Sequence, residues 1–162
     1  MDIYNEGMKI MEEKFGGNKD NIIALATVAL ATNPGDKPRP VVRDVDAYYE
    51  DGTFYVVTWN ESSKMKEIAA NNEVAIAPCH GWFTASAVGE NLGWVLDEKN
   101  AAVRDKLRTA FTWYDAVNDE SDKNCVFLAI RLTNGIININ HHEKLYYMDF
   151  ANKTATMGGH GA

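Results

Sequence analysis

The sequence predicts a mainly β fold of the α+β class: a closed or partly closed antiparallel barrel of six to eight strands with about three peripheral helices. Alternating apolar runs indicate the strands, and the turn signals Asn33-Pro34-Gly35-Asp36 and Asp51-Gly52 join them as hairpins. One short helix, starting near Ser62, interrupts the strands. No period of about 20–50 residues repeats, so the pattern is not that of a solenoid or a propeller.

The strands follow from side-chain alternation. In the first strand Ile23, Leu25, Thr27 and Ala29 share one face, and Pro38 and Pro40 favour an extended second strand over a helix. Bulges or bends are expected at Gly89 and Gly93, and a tight turn at Asn134-Gly135. The predicted strands run over residues 22–32, 39–47, 53–59, 73–79, 83–96, 126–132, 136–140 and 146–150.

Three helices are expected. The first covers residues 2–15, the second runs from Ser62 to Ala70, and the third is capped by Asp97. The acidic stretch 112–124 is expected to be a solvated loop. Apolar residues recur at helical spacing on the first helix, at Tyr4, Met8, Met11 and Phe15.

A chain of 162 residues is most simply one domain, which we assign to 1–150, followed by a flexible C-terminal tail at 151–162. The net charge of −7 disfavours nucleic acid and anionic membrane surfaces as partners. Cys79 and Cys125 form no CxxC pair, and the longest apolar run, 22–31, is too short to span a bilayer. We therefore expect a cytoplasmic protein.

The common catalytic motifs are absent: the sequence has no GxGxxG, Walker lysine loop, HExxH or GxSxG. The adjacent pair His141 and His142 would point opposite ways on a strand, so no metal site is expected. His80 is the only histidine near the candidate site described next, and it is most simply a loop residue. No side chain is an obvious general base, and the catalytic residues stay unassigned.

A basic stretch around residues 39–64 predicts an anion site. Arg39 and Arg43 have the same parity on one strand, and pairing of strands two and three would return Thr58 to the neighbourhood of Arg39. The helix starting at Ser62 offers free N–H groups, hydroxyls and the charge of Lys64. The alternative from the residues alone is that Ser62 merely caps, the lysines are solvated and Arg39 pairs with an acidic neighbour.

Four segments follow one another along the chain: Gly35-Asp36-Lys37-Pro38-Arg39-Pro40-Val41, Asp51-Gly52-Thr53-Phe54-Tyr55-Val56-Val57-Thr58, Ser62-Ser63-Lys64-Met65-Lys66-Glu67-Ile68 and Ala87-Val88-Gly89-Glu90. Their order and spacing resemble the pyridoxamine 5′-phosphate oxidase-like superfamily of FMN-binding split barrels, in its general-stress and nitroimidazole-reductase-like branch. The resemblance covers about residues 22–140.

The resemblance implies a split antiparallel barrel that binds FMN as a homodimer, with flavins at the interface. It implies that Arg39, Pro40, Val41 and Val42 line the isoalloxazine. Thr84 would reach the flavin of the neighbouring subunit. The implied phosphate cradle consists of Thr58, Ser62, Ser63 and Lys64.

Two departures from the resemblance narrow the expected activity. Ser63 stands where the vitamin-processing oxidases carry a basic residue, and His141-His142-Glu143 does not match their C-terminal arginine–histidine pattern. Pyridoxamine phosphate oxidase activity is therefore not predicted.

We expect an FMN-dependent oxidoreductase that reduces a small electrophilic substrate with electrons from NADH or NADPH. Trp82 and Trp113-Tyr114 are candidates to cover a flavin face, although aromatic residues at such positions are more often packing. Two alternatives stay open: a protein that binds flavin, deazaflavin or haem for storage or sensing without turnover, and a cofactor-free dimeric barrel.

Overall fold

The computed structural model describes residues 2–31 and 33–159. Four α-helices and eight strands are formed by these residues, with a 3-10 turn at Glu98–Asn100 before the third helix. The helices are α1 (Ile3–Phe15), α2 (Ser63–Ala70), α3 (Ala101–Ala110) and α4 (Tyr114–Val117). The strands are β1 (Asn21–Ala29), β2 (Arg39–Glu50), β3 (Thr53–Trp59), β4 (Glu73–Pro78), β5 (Phe83–Trp94), β6 (Cys125–Ile139), β7 (Lys144–Asp149) and β8 (Thr154–Gly158).

Six of the strands close into an antiparallel barrel. The sheet order is β3-β2-β1-β4-β5-β6-β7-β8, and the further pairing of β3 with β6 closes the ring from β1 to β6. Strands β7 and β8 extend the sheet beyond the barrel from the second half of β6. The predicted mainly β barrel with peripheral helices is confirmed.

The barrel core is filled by alternate residues of the strands and covered at one end by α1. Ile23, Leu25 and Thr27 of β1 are buried, as the alternation predicted. Phe15, the last residue of α1, is 4% exposed, and its ring centroid lies 4.9 Å from those of both Phe54 and Trp82. Helix α1 is therefore part of the core rather than a loose cover.

The tight turn predicted at Asn134-Gly135 is wrong, because β6 continues through it from Cys125 to Ile139. Gly135 pairs with Ala85 of β5 on one side and with Met148 of β7 on the other. A Cβ at Gly135 would lie 2.9 Å from the carbonyl oxygen of Thr84. The glycine permits close approach of two strands here, and pairing on both sides outweighs the local turn signal.

The bulge predicted at Gly93 is confirmed, since the β5–β6 register shifts between Asn91 and Gly93 and Gly93 has φ +83. Gly89 instead pairs regularly with Ile130. A Cβ at Gly89 would lie 3.0 Å from Ile68 of α2. That glycine therefore makes room for the helix.

The stretch 112–124 is not only a solvated loop, because it contains α4 and the buried side chain of Tyr114. The ring of Trp113 stacks on Phe111 at 4.9 Å, and its Nε1 donates to Asp20 at 2.7 Å. Arg104 forms two 2.7 Å hydrogen bonds to the carboxylate of Glu120. Aromatic packing and paired charges fix a segment whose composition predicts a loop.

The last described residues are ordered as a strand. Thr154–Gly158 form β8, which pairs antiparallel with β7, within the range 151–162 that the sequence analysis assigned to a tail. Residues 160–162, including His160, lie outside the described residues. None of the helices formed by the described residues combines the length and apolarity needed to cross a lipid bilayer.

Asp46 is held beside a second carboxylate. Burial is the main reason that its pKa lies above its usual value, and repulsion from Asp20 and a hydrogen bond to it raise the pKa further. The folded protein therefore holds the Asp46 proton more tightly than the unfolded chain. Stability is lost as pH rises through the folded pKa, so the ionised carboxylate is unfavourable at neutral pH.

We expect Asp46→Asn to raise the free energy of unfolding at pH 7. The gain should shrink as pH falls through the raised pKa of the folded state and vanish below the ordinary carboxyl value of 3.8, where Asp46 is protonated in both states. Urea unfolding at several pH values measures this difference. Asp44→Asn, on the same strand and exposed, is the matched control. An equal gain in both variants would show that the cause is net charge and not the Asp20 contact.

Candidate functional site

The N-terminus of α2 carries an unsatisfied hydroxyl. Ser62 is the residue that precedes the helix, with φ −67 and ψ 154, yet its side chain accepts no capping hydrogen bond. Its Oγ is buried and has no hydrogen-bond partner among the described residues. Buried hydroxyls are normally paired, so this one is available to a ligand at the helix start.

Arg43 of β2 and Glu67 of α2 form a partly buried ion pair beneath the helix. Arg43 Nη2 lies 2.9 Å from Glu67 Oε2, and Arg43 Nη1 donates to the hydroxyl of Thr27 at 2.5 Å. The Thr27 hydroxyl also donates to the Glu67 carboxylate. These three side chains lie on three different elements, so the contact ties α2 to the barrel wall.

Lys64 lies in the first turn of α2 beside this pair. Burial lowers the pKa of Lys64, and the Arg43 cation lowers it further. Lys66, two residues further along the helix, is instead exposed, and its Nζ lies 3.6 Å from Glu61 Oε2. Arg43 is paired with Glu67, but Lys64 lies partly buried beside the Arg43 cation, and a bound anion would relieve the repulsion between the two cations.

A cavity of about 790 Å³ lies on the outer face of the sheet. Its volume is in the range of about 300–1,000 Å³ that small-molecule sites occupy. One wall is made of alanines from β1 and β4, and the other carries hydroxyl and amide groups from β5, β6 and β8. The alanines are Ala24, Ala26, Ala75 and Ala77, and the polar residues include Thr84, Ser86, Asn134 and Thr156.

The ring of Tyr147 on β7 also lines this cavity. A Cβ at Gly158 of β8 would lie 2.8 Å from Cε2 of that ring. The glycine therefore lets the Tyr147 ring lie close against β8. The hairpin outside the six-stranded barrel in this way supplies an aromatic wall to the cavity.

Two smaller cavities adjoin the first. One of about 480 Å³ shares Ala26, Ala75, Ser86 and Asn134 with it and is also lined by Pro40. Another of about 260 Å³ shares Thr84 and Ile136 with it. The outer face therefore offers a run of connected concave surface rather than one isolated depression.

The sequence matches no protein-family model and no curated protein. Solved structures do resemble the fold. A Clostridium acetobutylicum protein related to general stress protein 26, of the pyridoxinephosphate oxidase family, has a TM-score of 0.59 and 14% identity over 95% of this chain and 100% of its own. The fold is the split barrel of the pyridoxamine 5′-phosphate oxidase-like proteins.

Other split barrels among the matches differ in what their names say they bind. A haem-binding protein from Mycobacterium smegmatis has a TM-score of 0.60 and 15% identity, over 82% of this chain and 54% of its own. An FAD-binding protein from Mesorhizobium loti has a TM-score of 0.51 and 16% identity, over 80% of this chain and 89% of its own. At these identities the likeness concerns the fold.

The split barrel brings the predicted site residues together in two groups. Val42 and Thr84 line the large cavity, and Pro40 lines the neighbouring one. Ser62 and Lys64 lie at the start of α2, with Ser63 exposed in its first turn. Arg39 and Val41 belong to the opposite face of β2 from Val42, the face that carries Arg43.

The pairing expected to bring Thr58 beside Arg39 does not form. Strands β2 and β3 pair only from Tyr48–Tyr55 to Glu50–Thr53, and beyond this β3 pairs with β6, where Thr58 faces Val126. Three residues further along the β2–β3 register, Thr58 would face Val45 rather than Arg39. The prediction was wrong because it assumed that the pairing of β2 with β3 continues to the far end of β2, which is the longer strand.

Sequence reasoning missed Glu67 and Thr27 as members of the basic cluster. It noted Arg43 as part of the basic stretch but did not assign it to the cofactor site. Glu67 is 24 residues from Arg43 in the chain, and Thr27 is 40 residues from Glu67. Thr27 lies on the buried face of β1, and Glu67 is partly buried on α2. The sequence could indicate that each faces the interior, but only the fold shows that the two side chains meet Arg43.

Proposed function

We propose that the protein is a cytoplasmic FMN-binding oxidoreductase that works as a homodimer and reduces a small electrophile with electrons from NADH or NADPH. The observation that carries this proposal is the start of α2, where a buried unpaired hydroxyl on Ser62 accompanies the partly buried Lys64 beside Arg43. An anion with several acceptor oxygens, such as a phosphate monoester, satisfies these groups together.

The residues present fit the cofactor. Ser62, Lys64 and the free N–H groups of α2 would hold the phosphate. Pro40, Val42 and Thr84, which line the cavities, would contact the ring system, and Arg39 and Val41 would do so only through their backbone groups. The bound flavin would supply the electron transfer chemistry. The contribution of this chain is to orient the ring, to exclude water from one side of it, and to balance the phosphate charge.

The outer face of the sheet supports a homodimer. Exposed apolar side chains cluster on or near it, with Val42 67% and Tyr147 44% exposed. Ile136, which lines two of the cavities, is 38% exposed. A second copy would cover these groups, and such coverage stabilises a complex by removing apolar surface from water.

Binding of haem, or of flavin or deazaflavin without turnover, is the alternative. The histidines among the described residues are His80, His141 and His142. The hydrogen bonds of His142 disfavour it as an iron ligand: Asn138 Nδ2 lies 3.1 Å from His142 Nδ1, and as a donor it leaves the ring proton on Nε2. A ligating Nε2 would need the opposite tautomer, which disfavours His142 as the ligand and leaves His80 and His141 as the histidines to test.

The test is a visible spectrum of the purified protein before and after adding FMN, with unbound flavin removed. We expect one FMN per chain, and NADH or NADPH oxidation when an electron acceptor is supplied. FMN binding without turnover would favour the storage or sensing alternative. A haem spectrum would redirect attention to the histidines. A colourless protein that takes up no FMN would contradict the proposal.

A further inference from the structure

The outer face of the sheet carries two rows of side chains that run across β5, β6, β7 and β8. Paired residues of neighbouring strands stand side by side on one face, so the register gives the rows directly. One row is Ser86, Asn134, Asp149 and Thr154, and the next is Thr84, Ile136, Tyr147 and Thr156. All of these residues line the large cavity of about 790 Å³. Asp149 is half-buried and the others are exposed, so the rows belong to the cavity and not to the core.

The charge in the lining of this cavity is negative. Asp149 contributes a carboxylate, and no lysine, arginine or histidine of the described residues lines the cavity. Asn152 Nδ2 donates to Asp149 Oδ2 at 2.8 Å and the Asn152 backbone N–H donates to Oδ1 at 2.9 Å. These bonds lower the pKa of Asp149, which is therefore ionised at neutral pH. A carboxylate has about four lone-pair sites, so acceptor sites remain for a ligand.

An aromatic ring stands beside this carboxylate. Tyr147 and Asp149 are two residues apart on β7, which places them on the same face of the strand. Asn134 and Thr154 flank Asp149 on the two neighbouring strands. The face of an aromatic ring attracts cations, as a carboxylate does. An exposed ring next to a carboxylate is therefore suited to an organic cation, and an anion of the same shape would be repelled.

This part of the cavity is distinct from the part expected to contact the flavin ring. Val42 and Thr84 lie on β2 and β5, whereas Tyr147 and Asp149 lie on β7, with β6 between β5 and β7. Neighbouring strands are about 4.7–4.9 Å apart, so β5 and β7 are roughly 10 Å apart. A ligand at Asp149 would lie beside the flavin ring rather than in its place.

We propose that the large cavity binds a cationic aromatic substrate, whose positive group pairs with Asp149 while its ring lies between Tyr147 and the flavin. The inference rests on the proposed function, because it names the charge of the electrophile that the flavin would reduce. Asp149 is then a specificity-determining residue, since it favours a cation and disfavours an anion of the same shape. A second copy on the outer face would enclose the cavity, and the exclusion of water would strengthen the preference.

The first experiment compares three ligands of nearly the same shape. Benzamidine is positive at neutral pH, benzamide is uncharged and benzoate is negative. Calorimetric titration into the FMN-loaded protein measures their Kd values, and we expect benzamidine to bind most tightly and benzoate most weakly. Asp149→Asn should weaken benzamidine binding by about tenfold, the lower end of the scale for a charged hydrogen bond, and leave benzamide binding unchanged. The same benzamidine Kd in both proteins would overturn the proposal.

Two control variants separate the carboxylate from net charge and from the turn. Asp105→Asn on α3 changes the net charge by the same amount, but Asp105 is exposed and does not line the cavity. Asn152→Ala removes the side-chain hydrogen bond to Asp149 in the turn between β7 and β8 and leaves the carboxylate in place. Both variants should still prefer benzamidine to benzoate. Loss of the preference in Asp105→Asn would assign it to net charge, and loss in Asn152→Ala would assign it to the turn. Either result would overturn the role of Asp149.

FMN uptake distinguishes this proposal from the proposed function. FMN binding together with equal affinity for the three ligands would overturn the cation site and leave the proposed flavoprotein in place. Absence of FMN binding in the unaltered protein would overturn both, since no flavin would then reduce the bound cation.

Discussion

Replacing Lys64 with alanine is expected to weaken FMN binding by about 1.5–3 kcal/mol, or about 10- to 150-fold in Kd, the scale of a hydrogen bond to a charged group. Lys64 is partly buried, and burial and Arg43 both lower its pKa. A phosphate bound at the start of α2 would compensate that unfavourable environment. The substitution removes this compensation together with one charged donor.

For the protein without FMN, the same reasoning predicts that Lys64→Ala does not lower the free energy of unfolding. A partly buried cation that faces another cation is unfavourable for folding when no anion is bound. Lys64→Ala should therefore retain or gain stability toward urea in the absence of FMN, while losing FMN affinity. Sites that are held in an unfavourable state for their ligand commonly show this exchange of stability for function.

Two controls locate the effect. Lys66→Ala removes the same charge from the same helix but from an exposed side chain near Glu61, so it should change the Kd little. Riboflavin lacks the phosphate, so its affinity should be the same for the unaltered protein and for Lys64→Ala. Fluorescence titration at two salt concentrations measures all of these. Equal FMN affinity in the unaltered protein and in Lys64→Ala would show that the phosphate binds elsewhere.

The side-chain alternation of the strands was enough to predict the barrel. Burial of Ile23, Leu25 and Thr27 follows directly from period-two spacing, and the bulge at Gly93 follows from a glycine in a strand. Both signals are local, and the structure confirms both. The dipeptide Asn134-Gly135 is equally local, but it lies where β6 pairs with β5 and β7 at once. Tertiary pairing outweighed a turn preference that acts over only two residues.

The candidate site was predictable only in part, because its side chains come from separate strands and a helix that only the fold brings together. Ser62 and Lys64 are two residues apart in the sequence and identify a helix start, whereas Arg43 and Thr27, which lie near them in the fold, come from two separate strands. The large cavity draws its walls from β1, β2, β4, β5, β6, β7 and β8. No local pattern records which outward-facing alanines and threonines become neighbours when a sheet of this order closes.

The largest effect on stability is expected for Phe15→Ala, at about 3–5 kcal/mol lost, the scale of a fully buried aromatic truncated in a core. Phe15 lies where α1 meets the barrel, and its ring contacts residues from three strands and a turn: Tyr49 at 5.7 Å, Phe54 at 4.9 Å, Trp82 at 4.9 Å and Phe83 at 5.9 Å between centroids. Alanine would leave a cavity that these rings, held by three strands and a turn, cannot fill.

The measurement is urea unfolding, with Trp59→Ala as the control. Trp59 is 55% exposed, so losing an aromatic ring there should change the free energy of unfolding by no more than about 0.5 kcal/mol. Phe15→Leu should recover part of the loss because it refills much of the volume. A loss below about 1 kcal/mol in Phe15→Ala would show that the barrel is stable without the packing of α1.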